Sequence, residues 1–322
     1  MNFQILAFLV ALVLSFLLTP RVRTLATRLN VVAHSGGRRI HGRPMPLWGG
    51  LAIYVGFAVG VVLVSHIGAR WNPDLQLDVR VLGILISGAI VATIGMIDDL
   101  KELSAGIQAL AILAAAIVLM GFGVKIEFLS SPFGEGMIWL SWLGAPVTIC
   151  WIFGLTKTVD LMDGLDGLAA GIGAIAAGCL AVIAYTTAQP GVALMAAALS
   201  GACIGFLRFN FNPAKIFMGT TGSQFIGFTL AAISIIGAFK VAVAAAVALP
   251  ILVFGVPIFD AMFVVWKRWR ARRPIHSADR SHLHHRLMQR GFSHRQTVLL
   301  IYGICLALGI TAVTVLYLAR SL

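Results

Sequence analysis

The stretch VLGILISGAIVATIGMIDDL, residues 81–100, decides the fold of this chain. Its first part is apolar and long enough to cross a bilayer as an α-helix, which needs about 20 apolar residues. Two adjacent aspartates, Asp98 and Asp99, end the run. A hydrated helix end is the simpler interpretation of this pair. Ionisable groups at membrane depth are costly and usually functional, however, so we predict a membrane helix that delivers carboxylates to one membrane surface.

Similar apolar runs recur along all 322 residues, of which 59% are hydrophobic and only 11% charged, with a mean hydropathy of +0.95. This composition excludes an ordinary soluble domain, in which about a quarter of the residues are charged. Because only helices or closed barrels satisfy their backbone in lipid, we predict an all-α, polytopic membrane helix bundle. We expect ten helices, or eleven if the ninth run forms two, because Pro250 and Pro257 interrupt that run. The ten predicted spans lie near residues 3–19, 47–66, 80–97, 105–121, 138–155, 168–187, 191–207, 222–238, 241–265 and 297–318.

The basic residues predict how the bundle is oriented. Most of the 24 Lys and Arg residues fall in alternate loops, and positive residues mark the cytoplasmic side. We therefore expect one domain, residues 1–322, in the inner (plasma) membrane, with both termini outside. The net charge of +12 then forms a cytoplasmic rim that attracts anionic lipid and substrate, and it does not indicate a nucleic-acid partner. The predicted cytoplasmic loops span about residues 20–46, 98–104, 156–167, 208–221 and 266–296.

The most acidic segment is TKTVDLMDGLDGLAAG, residues 156–171, which places Asp160, Asp163 and Asp166 at three-residue intervals. In a helix these side chains would share one face. Two carboxylates about 5 Å apart repel by roughly 3 kcal/mol at an effective dielectric near 20. A divalent cation or Lys157 would offset that repulsion. Aspartates that simply favour a helix N-terminus are the alternative.

Two further polar segments fall on the same predicted face. The loop FMGTTGS, residues 217–223, precedes a membrane helix, and its backbone amides could bind an anion; a plain glycine-rich turn is equally compatible. The segment SHLHHRL, residues 281–287, combines histidines with arginine, which suits a phosphate group. Its spacing fits no closed zinc site, and a solvated basic loop is the remaining alternative.

Five motifs in this order resemble the polyprenyl-phosphate N-acetylhexosamine-1-phosphate transferases of glycosyltransferase family 4. The HLHHRL form is more similar to the branch that transfers GlcNAc-1-phosphate than to the branch that acts on MurNAc-pentapeptide. The motifs are IDDL, DLMDGLDGLAAG, NPAKIFMGTTGS, PIFD and DRSHLHHRL.

The resemblance implies transfer of a sugar-1-phosphate from a UDP-sugar to undecaprenyl phosphate, with release of UMP. The reaction would begin a cell-envelope polysaccharide or a teichoic-acid linkage unit. Mg²⁺ is the implied cofactor, with Mn²⁺ as an alternative. The resemblance is also compatible with a homodimer. The physical logic agrees, because two anionic substrates that meet at a membrane surface require a divalent ion and basic residues.

The resemblance also implies roles for individual residues. Asp98 and Asp99 would act on the lipid phosphate, one of them as a base, and Asp163 and Asp166 would serve the metal and the nucleotide. The implied metal ligands are Asp163, Asp166, Asp160 and Thr220. The implied substrate-binding residues are Arg43, Lys157, Asn210, Phe217, His282, His284, His285 and Arg286.

Four positions depart from the family pattern. Lys157 and Asp160 replace two asparagines, and Thr220 replaces an aspartate that binds Mg²⁺ in the family. Gln108 stands where a basic residue is frequent. In one hypothesis the site is rewired, with Asp160 as a new metal ligand and Lys157 near the phosphates. In the other, the chain binds nucleotide-sugar or lipid phosphate without turnover. A transporter of a lipid-linked anion is a third function class, but transporters place charges nearer the bilayer midplane.

If the site is rewired, the Asp160→Asn variant loses its transferase activity, because it removes the carboxylate that the hypothesis requires. The measurement is UMP release from UDP-GlcNAc in the presence of undecaprenyl phosphate. Undiminished release by the variant would rule out an essential Asp160.

Overall fold

A computed structural model describes residues 2–33, 44–130, 137–238, 251–270 and 282–321. Helices dominate it, as predicted, and two short antiparallel strand pairs join them. In one pair Val32 lies opposite Pro46, and in the other Phe128 lies opposite Trp139. The strands are β1 (Val32–Ala33), β2 (Met45–Pro46), β3 (Phe128–Ser130) and β4 (Met137–Trp139). The helices are α1 (Phe3–Arg28), α2 (Gly49–Gly68), α3 (Val79–Lys101), α4 (Ala105–Gly121), α5 (Gly144–Met162), α6 (Leu168–Thr186), α7 (Pro190–Asn210), α8 (Gly219–Ala238), α9 (Gly255–Arg270), α10 (Leu283–Gln289) and α11 (His294–Ser321).

Eight helices in the described part of the chain are long and apolar enough to cross a membrane, and α4 is a shorter apolar helix. These nine coincide with nine of the ten predicted runs, so the chain is an all-α, multi-pass membrane protein. The remaining predicted run, the ninth (241–265), lies partly outside the described residues, and its later part belongs to α9. The orientation in the membrane and the loop assignment stay predictions.

Helices extend beyond the apolar runs that predicted them. Helix α1 continues to Arg28 and α5 continues to Met162. Hydropathy detects only the part of a helix that suits lipid, whereas backbone hydrogen bonding continues wherever the residues tolerate helical geometry. Consequently Asp98, Asp99 and Asp160 lie on the last turns of helices, not in loops.

Helix α8 is the most enclosed of the candidate spans, with 89% of its apolar window buried, against 28% for α1 and α11. It packs against α2, α3, α5 and α6. Helix α7 packs on α1, α2 and α6. The bundle therefore has α7 and α8 at its centre, and the first turn of α8 is surrounded by the ends of its neighbours.

Small residues allow α1 and α7 to approach closely. A side chain at Gly201 would meet the Phe8 carbonyl oxygen, and one at Gly205 would meet that of Leu12. Between membrane helices, where apolar burial supplies little driving force, such close backbone packing is a main source of association.

We expect the Gly201→Val variant to destabilise the bundle by about 1–3 kcal/mol, because the added side chain cannot fit against α1. Gly303→Val is the matched control, since nothing lies within 4 Å of a Cβ there. Thermal unfolding in detergent, followed by tryptophan fluorescence, measures both. Equal unfolding temperatures for the two variants would contradict this account of the α1–α7 contact.

Candidate active site

The end of α3 is fastened to the start of α8 by Asp99. Its carboxylate accepts hydrogen bonds from the Thr220 amide at 2.8 Å and from the Thr221 hydroxyl at 2.7 Å. A helix N-terminus leaves amides without intrahelical partners, and a side-chain oxygen is well suited to accept hydrogen bonds from them. Gly219 has φ +68°, and a side chain at this position would collide with Asp99. The first glycine of FMGTTGS, Gly219, is therefore required by the close approach of Asp99.

Asp98 has different partners from its neighbour. Its Oδ1 atom accepts hydrogen bonds from the Leu103 amide and from Gln108 Nε2, both at 2.8 Å. Asp98 is buried. The two adjacent aspartates are thus distinct in structure, because Asp99 caps α8 while Asp98 is hydrogen-bonded toward α4 through Gln108.

A closed ring of polar side chains joins α4, α5 and α8. Lys157 Nζ donates to Gln108 Oε1 and lies 3.0 Å from Asp160 Oδ2. Gln224 Nε2 completes the ring by contacting Asp160 Oδ2 at 3.2 Å and Gln108 Oε1 at 3.1 Å. The Ser223 hydroxyl adds a hydrogen bond of 2.6 Å to Asp160 Oδ1. Three of the four residues that depart from the family pattern therefore meet at one place.

Asp163 and Asp166 lie on the turn between α5 and α6, beyond the helix end at Met162. The three aspartates therefore do not share one helical face, because α5 ends before the second of them. Asp166 is buried, and its Oδ2 accepts hydrogen bonds from Asn212 Nδ2 at 3.1 Å and from the Ala214 amide at 3.0 Å. Asp163 is half-buried.

Asn210 holds the two loops together. Its Oδ1 accepts from the Gly167 amide and its Nδ2 donates to the Ile216 carbonyl oxygen, each at 3.0 Å. Asn210 is buried, and these contacts assign it a structural role. Phe217, predicted to bind the base, is half-buried, and its backbone bonds to Pro46 and Gly49.

The predicted histidines form a stacked cluster beside the acidic turn. His282 Nδ1 lies 2.8 Å from Asp260 Oδ2, and the Leu283 amide donates to Asp260 Oδ1 at 2.7 Å. The His282 and His284 rings stack with centroids 5.7 Å apart, and His285 lies 4.3 Å from His284. The carboxylate of α9 thus fixes the start of α10 and with it the position of the rings.

His284 is 1% exposed, and neither of its ring nitrogens has a hydrogen-bond partner among the described residues. Burial, followed by the neighbouring His285 and His282, lowers the pKa of His284 to about 3. The ring is therefore neutral at physiological pH. Gly164 lies against it so closely that any side chain at that position would strike the imidazole. This contact joins the acidic turn to the histidine cluster.

The remaining predicted binding residues are less closely connected to the acids. Arg286 lies over the Phe263 ring, with its guanidinium carbon 4.5 Å from the ring centroid. Arg43 lies outside the described residues.

Several residues of the site were not predicted from the sequence. Asp260 stands in the quoted PIFD motif, but nothing in the sequence indicated that it would hold His282. Ser223 and Gln224 follow FMGTTG directly, and only their contact with Asp160 identifies them. Tyr302 and Arg295 of α11 bond to the Gly167 and Asn212 carbonyl oxygens behind the site.

The acidic residues differ in how well they fit a divalent metal. Among the described residues, no group of three or more His, Cys, Asp or Glu side chains could hold a metal ion by itself. Asp160 is already paired with Lys157, and the Thr220 amide is bound to Asp99. Mg²⁺ commonly takes one or two carboxylates and completes its shell with phosphate and water. Asp163 and Asp166, on one turn, fit this arrangement.

Known proteins match this chain over most of its length. A family model described as glycosyl transferase family 4 matches residues 81–238. A probable undecaprenyl-phosphate N-acetylglucosaminyl 1-phosphate transferase of Bacillus subtilis is 37% identical over 309 residues, which are 96% of this chain and 84% of that protein. The chain belongs to glycosyl transferase family 4. The resemblance that the five motifs indicated is thereby confirmed.

Two other members of glycosyl transferase family 4 bear on the branch. A decaprenyl-phosphate N-acetylglucosaminephosphotransferase of Mycobacterium tuberculosis is 36% identical over 91% of this chain and 78% of that protein. A phospho-N-acetylmuramoyl-pentapeptide-transferase of Halalkalibacterium halodurans is 30% identical over 96% of this chain and 95% of that protein. The Bacillus and Mycobacterium proteins named for N-acetylglucosamine, at 37% and 36% identity, are more similar to this chain than the pentapeptide transferase at 30%, which agrees with the branch that the histidine segment indicated.

The low pKa of His284 predicts how stability depends on pH. The unfolded chain protonates this histidine below about pH 6.5, whereas the folded protein does so only near pH 3. Below pH 6.5 the unfolded state thus binds more protons, and stability falls as the pH falls toward 3.

Between pH 7.5 and 5.0, we expect the unfolding temperature of His284→Asn to fall by roughly 4 °C less than that of the unsubstituted protein. Scanning fluorimetry in detergent measures both. His66→Asn, an exposed site at the end of α2, is the control. An unchanged slope in the His284 variant would refute the assignment.

Proposed function

We propose that this protein transfers a HexNAc-1-phosphate, in particular GlcNAc-1-phosphate, from a UDP-sugar to undecaprenyl phosphate and releases UMP. One observation carries the proposal. At the ends of α3, α5 and α8, Gln108 joins Asp98 to the ion pair of Lys157 and Asp160 in one hydrogen-bonded unit. Next to this unit, the acidic turn contacts His284, which is buried and whose ring nitrogens have no partner among the described residues. The relatives named for this reaction match nearly the whole chain, which supports the same conclusion.

The reaction needs little covalent chemistry from the protein. An oxygen of the lipid phosphate attacks the phosphorus that carries the sugar, and the bond from that phosphorus to the UMP oxygen breaks. The lipid then carries a diphosphate-linked sugar, and UMP leaves with the electron pair of the broken bond. For such phosphoryl transfers, in-line positioning and charge neutralisation supply most of the catalysis.

The two carboxylates at the end of α3 are suited to different tasks. Both described hydrogen bonds of Asp98 fall on Oδ1, so Oδ2 is the atom that would take a proton from the lipid phosphate. Asp99 is committed to the first amides of α8, so we assign it the positioning of that helix. The lipid enters from the bilayer side of these helix ends.

The nucleotide-sugar side of the site would be formed by the acidic turn and the histidines. His284 has unpaired ring nitrogens, and its neutral imidazole can donate a hydrogen bond to a phosphate oxygen. His282, oriented by Asp260, and His285 lie beside it and would extend the same surface. Phe217 would lie toward the uridine, with Asn210 holding the preceding Ile216 in place, and Arg43 and Arg286 would add positive charge.

Asp163 and Asp166 are the residues that would hold Mg²⁺, and Mn²⁺ has the same preference for oxygen ligands. The bound ion would neutralise charge on the diphosphate as the UMP leaving group departs. The chain's contribution is to hold the two carboxylates on one turn, with Asp166 oriented by Asn212 and Ala214.

We place the reaction at the cytoplasmic face of the inner membrane, because the predicted basic rim lies on the side where the site residues meet. Soluble UDP-sugar is then available on the same side as the phosphate of the lipid. Charges at helix ends, such as those of Asp98 and Asp160, support interfacial chemistry over transport through the bilayer.

The deciding assay uses purified protein in detergent with undecaprenyl phosphate, UDP-GlcNAc and Mg²⁺. We expect UMP release that requires the lipid and falls at least tenfold with a chelator, since the diphosphate charge is then uncompensated. UDP-GalNAc and UDP-MurNAc-pentapeptide, supplied in parallel, test the sugar.

No UMP from any of these donors, together with measurable UDP-GlcNAc binding, would show a non-catalytic relative. Accumulation of unmodified substrate in proteoliposomes would instead support a transporter.

A further inference from the structure

The four departures from the family pattern lie within one unit in space, which consists of the ring and the adjoining first turn of α8. Residues 108, 157 and 160 lie in the ring described above, and position 220 begins the helical turn that supplies Ser223 and Gln224 to it. Relative to the family pattern, position 157 gains a cation and position 108 loses one. A carboxylate is gained at 160 where one is lost at 220. The changes therefore move charge within the unit and leave its total unchanged.

Both carboxylate oxygens of Asp160 accept hydrogen bonds, and one of these bonds comes from Lys157. Its Oδ2 lies 3.0 Å from Lys157 Nζ and 3.2 Å from Gln224 Nε2, and its Oδ1 accepts from Ser223 at 2.6 Å. A divalent cation on the same carboxylate would lie next to the lysine ammonium and would be repelled by it. The contacts of Asp160 therefore suit an ion-pair partner and not a metal ligand.

Lys157 keeps a free donor and some access to solvent. An ammonium has three protons, and among the described residues Gln108 and Asp160 engage two of them. The side chain is 22% exposed, so the third proton can reach a ligand. The side-chain oxygen Oε1 of Gln108 accepts a hydrogen bond from the ammonium, whereas a basic residue at position 108 would repel the ammonium.

We propose that Lys157 is a cation built into the site, which binds a phosphate oxygen of the substrate. Asp160 and Gln108 are positioning residues that hold the ammonium in place. The inference rests on the proposed function in requiring a phosphate-bearing substrate. It replaces the hypothesis that Asp160 is a new metal ligand.

The first test measures binding and turnover in lysine variants. We expect Lys157→Gln to weaken UDP-GlcNAc binding, measured calorimetrically in EDTA, by at least tenfold, while uridine binding is unchanged because uridine has no phosphate. Lys157→Arg keeps the charge and recovers part of the affinity. Lys125→Gln is the matched control, because Lys125 lies between α4 and β3 and its ammonium donates to the Ser141 carbonyl oxygen, near the opposite end of α5 from Lys157. Equal UDP-GlcNAc affinity in Lys157→Gln and the unsubstituted protein would overturn the proposal.

The second test separates a positioning role of Asp160 from metal binding. If Asp160 acts through Lys157, Asp160→Asn lowers kcat/KM, but adding it to Lys157→Gln has no further effect. Mn²⁺ binding, followed by electron paramagnetic resonance, is then unchanged in Asp160→Asn. A loss of Mn²⁺ binding in that variant, or a double variant clearly worse than Lys157→Gln, would identify Asp160 as a metal ligand.

The two proposals fail in distinguishable ways. If UMP is released normally by Lys157→Gln, the lysine inference fails and the transferase stands. If the unsubstituted protein releases no UMP but binds UDP-GlcNAc through Lys157, the lysine inference stands and the transferase fails.

Discussion

The hydrogen bonds from the first amides of α8 to Asp99 connect the parts of this molecule on which its site depends. They join the end of α3 to the start of the most enclosed helix of the bundle. With this junction in place, Ser223 and Gln224 on the first turn of α8 face Asp160 on the last turn of α5. The carboxylate accepts hydrogen bonds from amides that a helix N-terminus leaves without intrahelical partners. Gly219 makes the junction sterically feasible.

Charge balance at the membrane surface explains the composition of the site. A cluster of aspartates in such an apolar protein would be unstable if each were left unpaired. The described contacts give four of them distinct partners: a helix N-terminus for Asp99, Gln108 for Asp98, Lys157 for Asp160, and a loop amide for Asp166. Under the proposed function, a phosphate group entering the site would meet donors that these contacts already orient. Such preorganisation is the main way in which proteins stabilise transferred phosphoryl groups.

The histidine cluster illustrates the opposite condition. His284 is buried without a partner for either ring nitrogen in the described structure, which costs free energy that the surrounding packing must offset. Asp260 orients its neighbour His282, and Gly164 leaves room for the ring. Unsatisfied polar atoms of this kind are uncommon in stable proteins. A ligand that supplies hydrogen bonds to His284 would remove the cost, so the cluster is suited to binding.

The amino-acid sequence determined the membrane-spanning class and the nine apolar helices of the described chain, and it singled out most of the polar residues that the structure brings together, because hydropathy and charge are properties of single segments. The motifs also identified the family. The tertiary structure alone decided that Asp98 and Asp99 have different partners, that Asp260 holds His282, and that Gln108, Lys157, Asp160 and Gln224 form one ring. The physical reason is that each of these facts depends on a contact between helices far apart in the chain. Spacing along one segment cannot specify which carboxylate a distant amide or ammonium will meet.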